Sequence, residues 1–330
     1  MTASDRFIVF GAGAIGSVFG GMLAEGGHRV DLVGRPDHME AIRRKGLSIE
    51  GLLGDHLARP AGAHTSLAEL PPDPPPRAVL VCVKSNATAA AVDELAASGL
   101  VREGTLVVSL QNGLGNLEKI RGAFGPDAAV GGRVIFGAEA REPGRVFVSV
   151  WADDVLLGGP SSERGVADAT AMAGEFTRCG IRTRFTRDIA AALWGKVLYN
   201  VGLNPLSCLL DVPYGKLEEE KSAKALLEDA IREAYRVAAR EADLGFPDED
   251  AYLALFFSRL LPSTRSHHSS MLQDMERGRE TEIEAITGEV IRRGRKHGIP
   301  TPVNDVLYGL VKARSGMRRQ AASTRKPGRA

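Results

Sequence analysis

Short apolar runs rich in β-formers alternate with helical periodicity through the first half of the chain. Residues 6–10, 29–33, 78–83, 106–109 and 129–135 read as strands, with helix-forming segments between them. Such alternation predicts a parallel sheet wrapped by helices. Residues 47–50 and 56–59, joined by a glycine-rich link, predict a small hairpin inserted into this pattern. The proline cluster at residues 71–76 can sustain neither a helix nor a central strand, so it reads as a surface connector.

After about residue 186 the β signals stop. Residues 190–204, 221–243, 248–260 and 269–297 all show helix formers with apolar positions at helical intervals. The pattern therefore predicts an α/β domain over residues 1–186 and an all-helical domain over 187–313. The apolar residues around 255–261 suit either a core or a subunit contact, which leaves a homodimer open. Residues 314–330 carry six basic side chains, no acid and almost no large apolar one. That composition predicts a disordered, solvated tail.

Bulk composition narrows the function classes. A chain of 330 residues can hold two cores. Its 42 basic and 41 acidic side chains, net +1, give no reason to expect nucleic acid or an anionic membrane as partner. Cys82, Cys179 and Cys208 are an odd, widely spaced set without a CxxC pair. They suggest neither a disulfide framework nor a zinc site, and a reducing cytoplasm fits them best. The apolar run at residues 7–10 is too short for a signal-peptide core, and no run approaches transmembrane length.

The first candidate chemistry follows the first strand directly. Gly11, Ala12, Gly13, Ala14, Ile15 and Gly16 form a GxGxxG pattern that opens a helix and is followed by a second strand. The first glycine permits a tight turn, the second lets backbone approach a pyrophosphate, and the third lets helix and strand pack closely. The helix N-terminus favours the phosphate charge. An NAD enzyme places an acid at the end of the second strand, whereas this chain reads Val33-Gly34-Arg35 there. Arg35 can pair with a 2′-phosphate, so NADP(H) is favoured over NAD(H). Asp31 acting on the ribose through a shifted strand end is the rival reading. Lys84, after the strand at residues 78–83, adds a second cation near the same cofactor.

A second constellation lies in the helical half. Lys196, Asn200 and Asn204 are four residues apart, so in a helix they share a narrow stripe about 12 Å long. An ammonium and two carboxamides offer a proton, positive charge and several donors to an oxygen-rich small molecule. A solvated helix face is the bland alternative. Pro205 should end or kink the helix at Asn204.

The glycine loop, Val83-Lys84, Leu110-Gln111-Asn112-Gly113-Leu114-Gly115, the run from Leu193 through Lys196, Asn200 and Asn204 to Pro205, and Ser269-Ser270-Met271-Leu272-Gln273-Asp274 with Glu282 together resemble the ketopantoate reductase family. The resemblance covers nearly the whole chain to about Lys312. It implies a Rossmann domain followed by a helical domain. The implied reaction is NADPH-dependent reduction of 2-dehydropantoate to (R)-pantoate, in pantothenate and coenzyme A biosynthesis. By the same resemblance Lys196 is the general acid that protonates the developing alkoxide, and Asn200 and Asn204 hold the substrate. Asn112 lies between nicotinamide and substrate, Ser270 contacts the substrate, and Glu282 stands near both. Ala138 offers a backbone contact to the cofactor.

Each role keeps an alternative: a structural ion pair for Lys196, a turn for Asn112, a helix N-cap for Ser270 and a surface carboxylate for Glu282. Along one straight helix Ser270 and Glu282 would sit about 18 Å apart, so both reach one ligand only if the helix bends or frays. One departure bears on specificity. Tyr214 stands where the family pattern commonly has another asparagine, which keeps open a related reductase of a different 2-keto acid, aromatic or branched, or an opine-type dehydrogenase. His267 and His268 are either neighbours of the site or exposed residues at a helix start. A catalytically silent NADPH-binding protein is the rival from another class.

Overall fold

The structure is a computed structural model that describes residues 4–324, with side chains through residue 320. It forms two compact units, Met1–Ile189 and Ala190–Ala330. The first contains strands β1 (Arg6–Phe10), β2 (Arg29–Val33), β3 (Leu47–Gly51), β4 (His56–Ala58), β5 (Gly62–His64), β6 (Ala78–Val81), β7 (Leu106–Ser109), β8 (Ala129–Arg133), β9 (Phe136–Glu142), β10 (Arg145–Trp151), β11 (Val155–Gly158) and β12 (Thr183–Phe185). Its helices are α1 (Ala14–Glu25), α2 (Pro36–Lys45), α3 (Thr88–Ala97), α4 (Asn116–Phe124) and α5 (Glu163–Arg178).

Eight strands form the main sheet in the order β12-β11-β8-β7-β6-β1-β2-β5. All neighbours are parallel except β8 and β11. The chain builds outward from β1 through β2 to β5 on one side, and from β6 through β7 to β8 on the other. This reversal opens a crevice at the C-terminal ends of β1 and β6, the place where open α/β sheets bind ligands. Every residue of β1, β6 and β7 is buried, as a strand covered on both faces requires.

The hairpin expected over residues 47–59 is present as antiparallel β3 and β4, extended by β10 and β9 into a separate four-stranded sheet. Phe136 of β9 stacks on Trp151 at 4.7 Å and meets Phe19 of α1 at 6.0 Å. The β9–β10 turn is tied down through one histidine. The Gly144 N–H donates to His38 Nδ1 at 2.9 Å, which leaves Nε2 to donate to Ser17 Oγ at 2.9 Å. Burial first, and the nearby Arg35 charge second, hold the His38 pKa below its ordinary value.

The second unit is helical: α6 (Ile189–Leu210, whose first residue belongs to the first unit), α7 (Tyr214–Glu219), α8 (Lys221–Ala238), α9 (Glu249–Leu255), α10 (Ser270–Glu276), α11 (Glu289–His297) and α12 (Pro302–Thr324). Two stretches, Phe256–Leu260 and Glu284–Gly288, are wound as π-helix. In α6, Trp194, Val197, Leu198, Val201 and Leu203 are buried, and a side chain at Gly202 would meet Leu227 of α8 at 2.4 Å. The glycine lets α6 and α8 approach closely. Buried Glu233 of α8 accepts the Val303 and Asn304 N–H groups at 2.9 and 3.0 Å and so caps α12.

Three expectations are corrected. Pro205 lies inside α6 and does not end it. The proline removes the donor to the Val201 carbonyl, but residues 201–208 around it are buried and the end of the helix is held by Asp211 N–H to the Ser207 carbonyl at 2.9 Å. The helix expected over residues 269–297 breaks after α10, where Gly278 takes a φ of +63°. Residues 314–324 are not a disordered tail but the end of α12. Arg314 donates to the last carbonyls of α6, at Cys208 and Leu209, and Arg318 to the Met275 carbonyl at 3.2 Å. Basic groups at the negative end of a helix are stabilised there. The rest of the expected tail, residues 325–330, lies outside the described residues. Among the described residues no helix is long and apolar enough to cross a membrane.

Candidate active site

The glycine loop spans the crevice between β1 and β6. Gly11 has φ +99°, and a side chain there would lie 2.4 Å from the Val83 backbone nitrogen. At Gly16 it would strike the Gly11 carbonyl at 2.7 Å and Val9 at 2.9 Å. Both positions exclude a Cβ. At Gly13 a Cβ would meet only the Gly11 carbonyl, at 3.9 Å, so the space above the loop is open. Ala12 is buried beneath it, with its N–H donated to the Val33 carbonyl at 2.8 Å. Gly13 is the N-cap of α1 and brings no side-chain acceptor to the helix terminus, so the first-turn N–H groups around Ala14 and Ile15 face outward uncapped. An uncapped helix start beneath open space suits a pyrophosphate.

Charge around the loop points the same way. Arg35 is exposed at the tip of β2, caps α2 with its backbone and has no anionic partner among the described residues. Asp31 is buried inside β2, where it accepts from Arg6 Nε at 2.9 Å and contacts His64 Nε2 at 3.4 Å. It is therefore committed to the strand. Lys84 is half-buried, three residues beyond the end of β6 and next to the segment that closes on Gly11.

Asn112 sits in the loop after β7, held by a polar network that sequence reasoning missed. Its carbonyl accepts from Ser85 Oγ at 2.5 Å and from Asn116 Nδ2 at 2.9 Å. Gln111 donates to the Val83 carbonyl at 2.9 Å and to Thr88 Oγ1 at 2.7 Å, and Thr88 in turn donates to Asn116 Oδ1 at 2.8 Å. These bonds knit the loops after β6 and β7 together. Asn112 Oδ1 is buried and has no hydrogen-bond partner among the described residues. A buried acceptor left open in this way suits a ligand N–H such as that of a nicotinamide carboxamide. The orphaned acceptor, the open glycine cradle and the unpaired arginine together fit a phosphorylated dinucleotide.

Lys196, Asn200 and Asn204 all lie within α6, so the stripe is real. Lys196 is half-buried and has an interaction of its own, Asn200 is 8 % exposed and Asn204 1 %. The Asn200 carboxamide makes no hydrogen bond to another described residue. Asn204 accepts the Tyr214 hydroxyl at Oδ1, 2.8 Å away, and the Ser269 hydroxyl at its backbone carbonyl, 3.5 Å away. The bland reading of a solvated face does not hold for the two amides, because both are buried.

The second motif thus meets the first at Asn204. The N-cap of α10 is Ser269, whose Oγ accepts the Leu272 N–H at 3.0 Å, so the cap alternative for Ser270 is set aside. Ser270 is the first residue of α10 and is exposed. Glu282 is half-buried beyond the break at Gly278, so the two residues do not share one straight helix. Ala138 is inside edge strand β9, paired with Val148, rather than at a strand end. His267 packs its ring 5.6 Å from Tyr214 and His268 is exposed. Phe256 and Leu261, from the stretch open to core or contact, are core.

One further cluster, His28, Glu175 and Cys179, has ligand atoms within 4.8 Å of one another. Glu175 is already engaged by His28 at 2.9 Å, by Arg77 at 3.4 Å and by Arg178. Two guanidinium groups on its only carboxylate oppose a cation there.

Comparison with known proteins places these features in context. The family model described as ketopantoate reductase PanE/ApbA matches residues 7–159, and that for its C-terminal part matches residues 188–315. The 2-dehydropantoate 2-reductase of Aquifex aeolicus is 34 % identical over 312 residues, covering 94 % of this chain and 96 % of that protein. That of Pyrococcus horikoshii is 33 % identical over 313 residues, covering 94 % and 98 %. Among solved structures, a PanE/ApbA family ketopantoate reductase from Ralstonia eutropha superposes with a TM-score of 0.84 at 30 % identity, covering 95 % of this chain and 99 % of that one. A D-mandelate dehydrogenase bound to NADH and anilino(oxo)acetate superposes with a TM-score of 0.83 at 26 % identity, covering 94 % and 98 %.

Proposed function

Because this chain belongs to the ketopantoate reductase family, we propose that it reduces the C2 ketone of 2-dehydropantoate to the alcohol of pantoate with NADPH. The observation that carries this reading is the α6 stripe, in which two buried carboxamides with open hydrogen-bonding capacity stand one and two turns beyond Lys196. Buried amides of this kind are completed by a ligand rich in oxygen.

Bound NADPH supplies the hydride that adds to C2. Lys196 Nζ gives a proton to the ketone oxygen as it gains negative charge, so one hydride and one proton complete the alcohol. Asn200 and Asn204 donate to substrate oxygens and fix the ketone before Lys196, and Ser270 adds a hydroxyl at the exposed start of α10. The cofactor is held by the α1 N-terminus at its pyrophosphate, by Arg35 and Lys84 at its 2′-phosphate, and by Asn112 Oδ1 at its carboxamide. Ala138 and Glu282 join the cofactor set on resemblance alone.

The test is steady-state reduction of a panel of 2-oxo acids with NADPH. The reading expects 2-dehydropantoate to exceed pyruvate and 2-oxoisovalerate in kcat/KM by about tenfold or more. Equal values across the panel would overturn it. A second reading, reduction of an aromatic 2-oxo acid, is favoured by Tyr214 and by the likeness to D-mandelate dehydrogenase, and phenylglyoxylate as best substrate would establish it.

A further inference from the structure

A carboxamide can turn either its carbonyl or its amide end toward a ligand, and the two orientations have nearly the same shape. A neighbour must choose between them. At Asn204 that neighbour is Tyr214, whose hydroxyl donates to Oδ1 at 2.8 Å. We infer that Tyr214 is a positioning residue that commits the carbonyl end of Asn204 and so makes Asn204 a pure donor toward an acceptor oxygen of the substrate. The inference rests on the reading above that Asn204 faces substrate.

Four observations support it. Tyr214 is 3 % exposed, and burial pushes its hydroxyl pKa well above the ordinary value, so the phenol stays a neutral donor. The residue is rigidly seated: its N–H donates to the His267 carbonyl at 3.1 Å, and the next N–H, of Gly215, donates to the Arg265 carbonyl at 2.8 Å. Its ring meets Tyr199 edge-on at 6.2 Å, and Tyr199 is itself bonded to Thr264 Oγ1 at 2.5 Å. Finally, Asn204 Nδ2 makes no hydrogen bond to another described residue, although the side chain is almost fully buried. With Oδ1 occupied, the open end carries two N–H groups and no lone pair. Such an end accepts a carboxylate or ketone oxygen and offers nothing to a ligand group that can only donate.

The test is a double-mutant cycle on Tyr214→Phe and Asn204→Ala. It is read as KM for the best 2-oxo acid and as Kd for oxamate, a non-reducible 2-oxo acid analogue, on NADP-saturated protein. Tyr214→Phe is expected to raise both about tenfold while kcat stays within about threefold and NADPH affinity is unchanged. In the Asn204→Ala background the same change is expected to add less than about twofold, because the residue it acts through is gone. Additive effects, or a Tyr214→Phe variant with unchanged KM and Kd, would overturn the inference. Asn204→Asp provides the independent arm. It keeps an acceptor for Tyr214 but turns a carboxylate oxygen toward the ligand, and should weaken oxamate far more than Asn204→Ala does. Equal weakening contradicts the inference. Oxamate binding that Tyr214→Phe weakens, with no turnover of any 2-oxo acid, would sink the proposed reaction alone, whereas turnover and oxamate binding that ignore both Tyr214 and Asn204 would sink the inference alone.

Discussion

Arg35 and Asp31 divide the work at β2 by burial. Asp31, the acid that could have met a ribose, is consumed by Arg6 and His64 inside the strand, while Arg35 stands exposed at the tip without an anionic partner among the described residues. A charge-assisted bond to a 2′-phosphate is worth about 1.5–3 kcal/mol. Arg35→Ala should therefore raise the KM for NADPH by about tenfold or more, with NADH turnover within about twofold, measured by steady-state titration of both cofactors. A wild-type enzyme that used NADH as well as NADPH would contradict the assignment. The arginine and the glycine loop were legible in the sequence because their chemistry lies in residue identity at a fixed local spacing. The Tyr214–Asn204 bond was not. It depends on the chain reversing after α6 through Asp211, the one non-glycine residue with positive φ among those described, at 60°. The polar network of Ser85, Thr88, Gln111 and Asn116 was hidden for a related reason, since it joins loops 23 to 31 residues apart.

At the scale of elements, the β9–β10 hairpin hangs on a histidine. His38 uses its neutral form to accept the Gly144 N–H and to donate to Ser17, and its folded pKa lies below the ordinary value near 6.5. Below about pH 6.5 the unfolded chain then binds the extra proton before the folded one does. Stability from this group is present above that pH and is lost as pH falls toward the folded pKa. Urea midpoints from pH 7.5 down to 5.5 should decline more steeply for the wild type than for His38→Gln, and parallel curves would contradict this. The same hairpin shows where sequence patterns fail. Gly137, Ala138, Glu139, Ala140 and Arg141 lack β-branched residues and lie on a partly exposed edge, so their pairing with β10 has no periodic signature. The main strands, buried on both faces, were legible for the opposite reason. Helix ends were misjudged at Pro205 and beyond Lys312, where burial and arginine-to-carbonyl bonds outweigh local propensity.

For the whole molecule, the proposed function implies a division of labour. The glycine loop, Arg35, Lys84 and Asn112 belong to the first unit, and Lys196, Asn200, Asn204, Tyr214 and Ser270 to the second. The division was legible because β signals stop where the chain turns helical, and the likeness to ketopantoate reductases extends over both parts. The account assigns cofactor grip to one set and proton transfer to the other, so the two should separate on substitution. Lys196→Ala tests this most directly, with kcat for 2-dehydropantoate and the dissociation constant of NADPH measured on the same preparation. The account predicts a fall in kcat of about 10² or more with NADPH binding within about threefold of wild type. An unchanged kcat would contradict it.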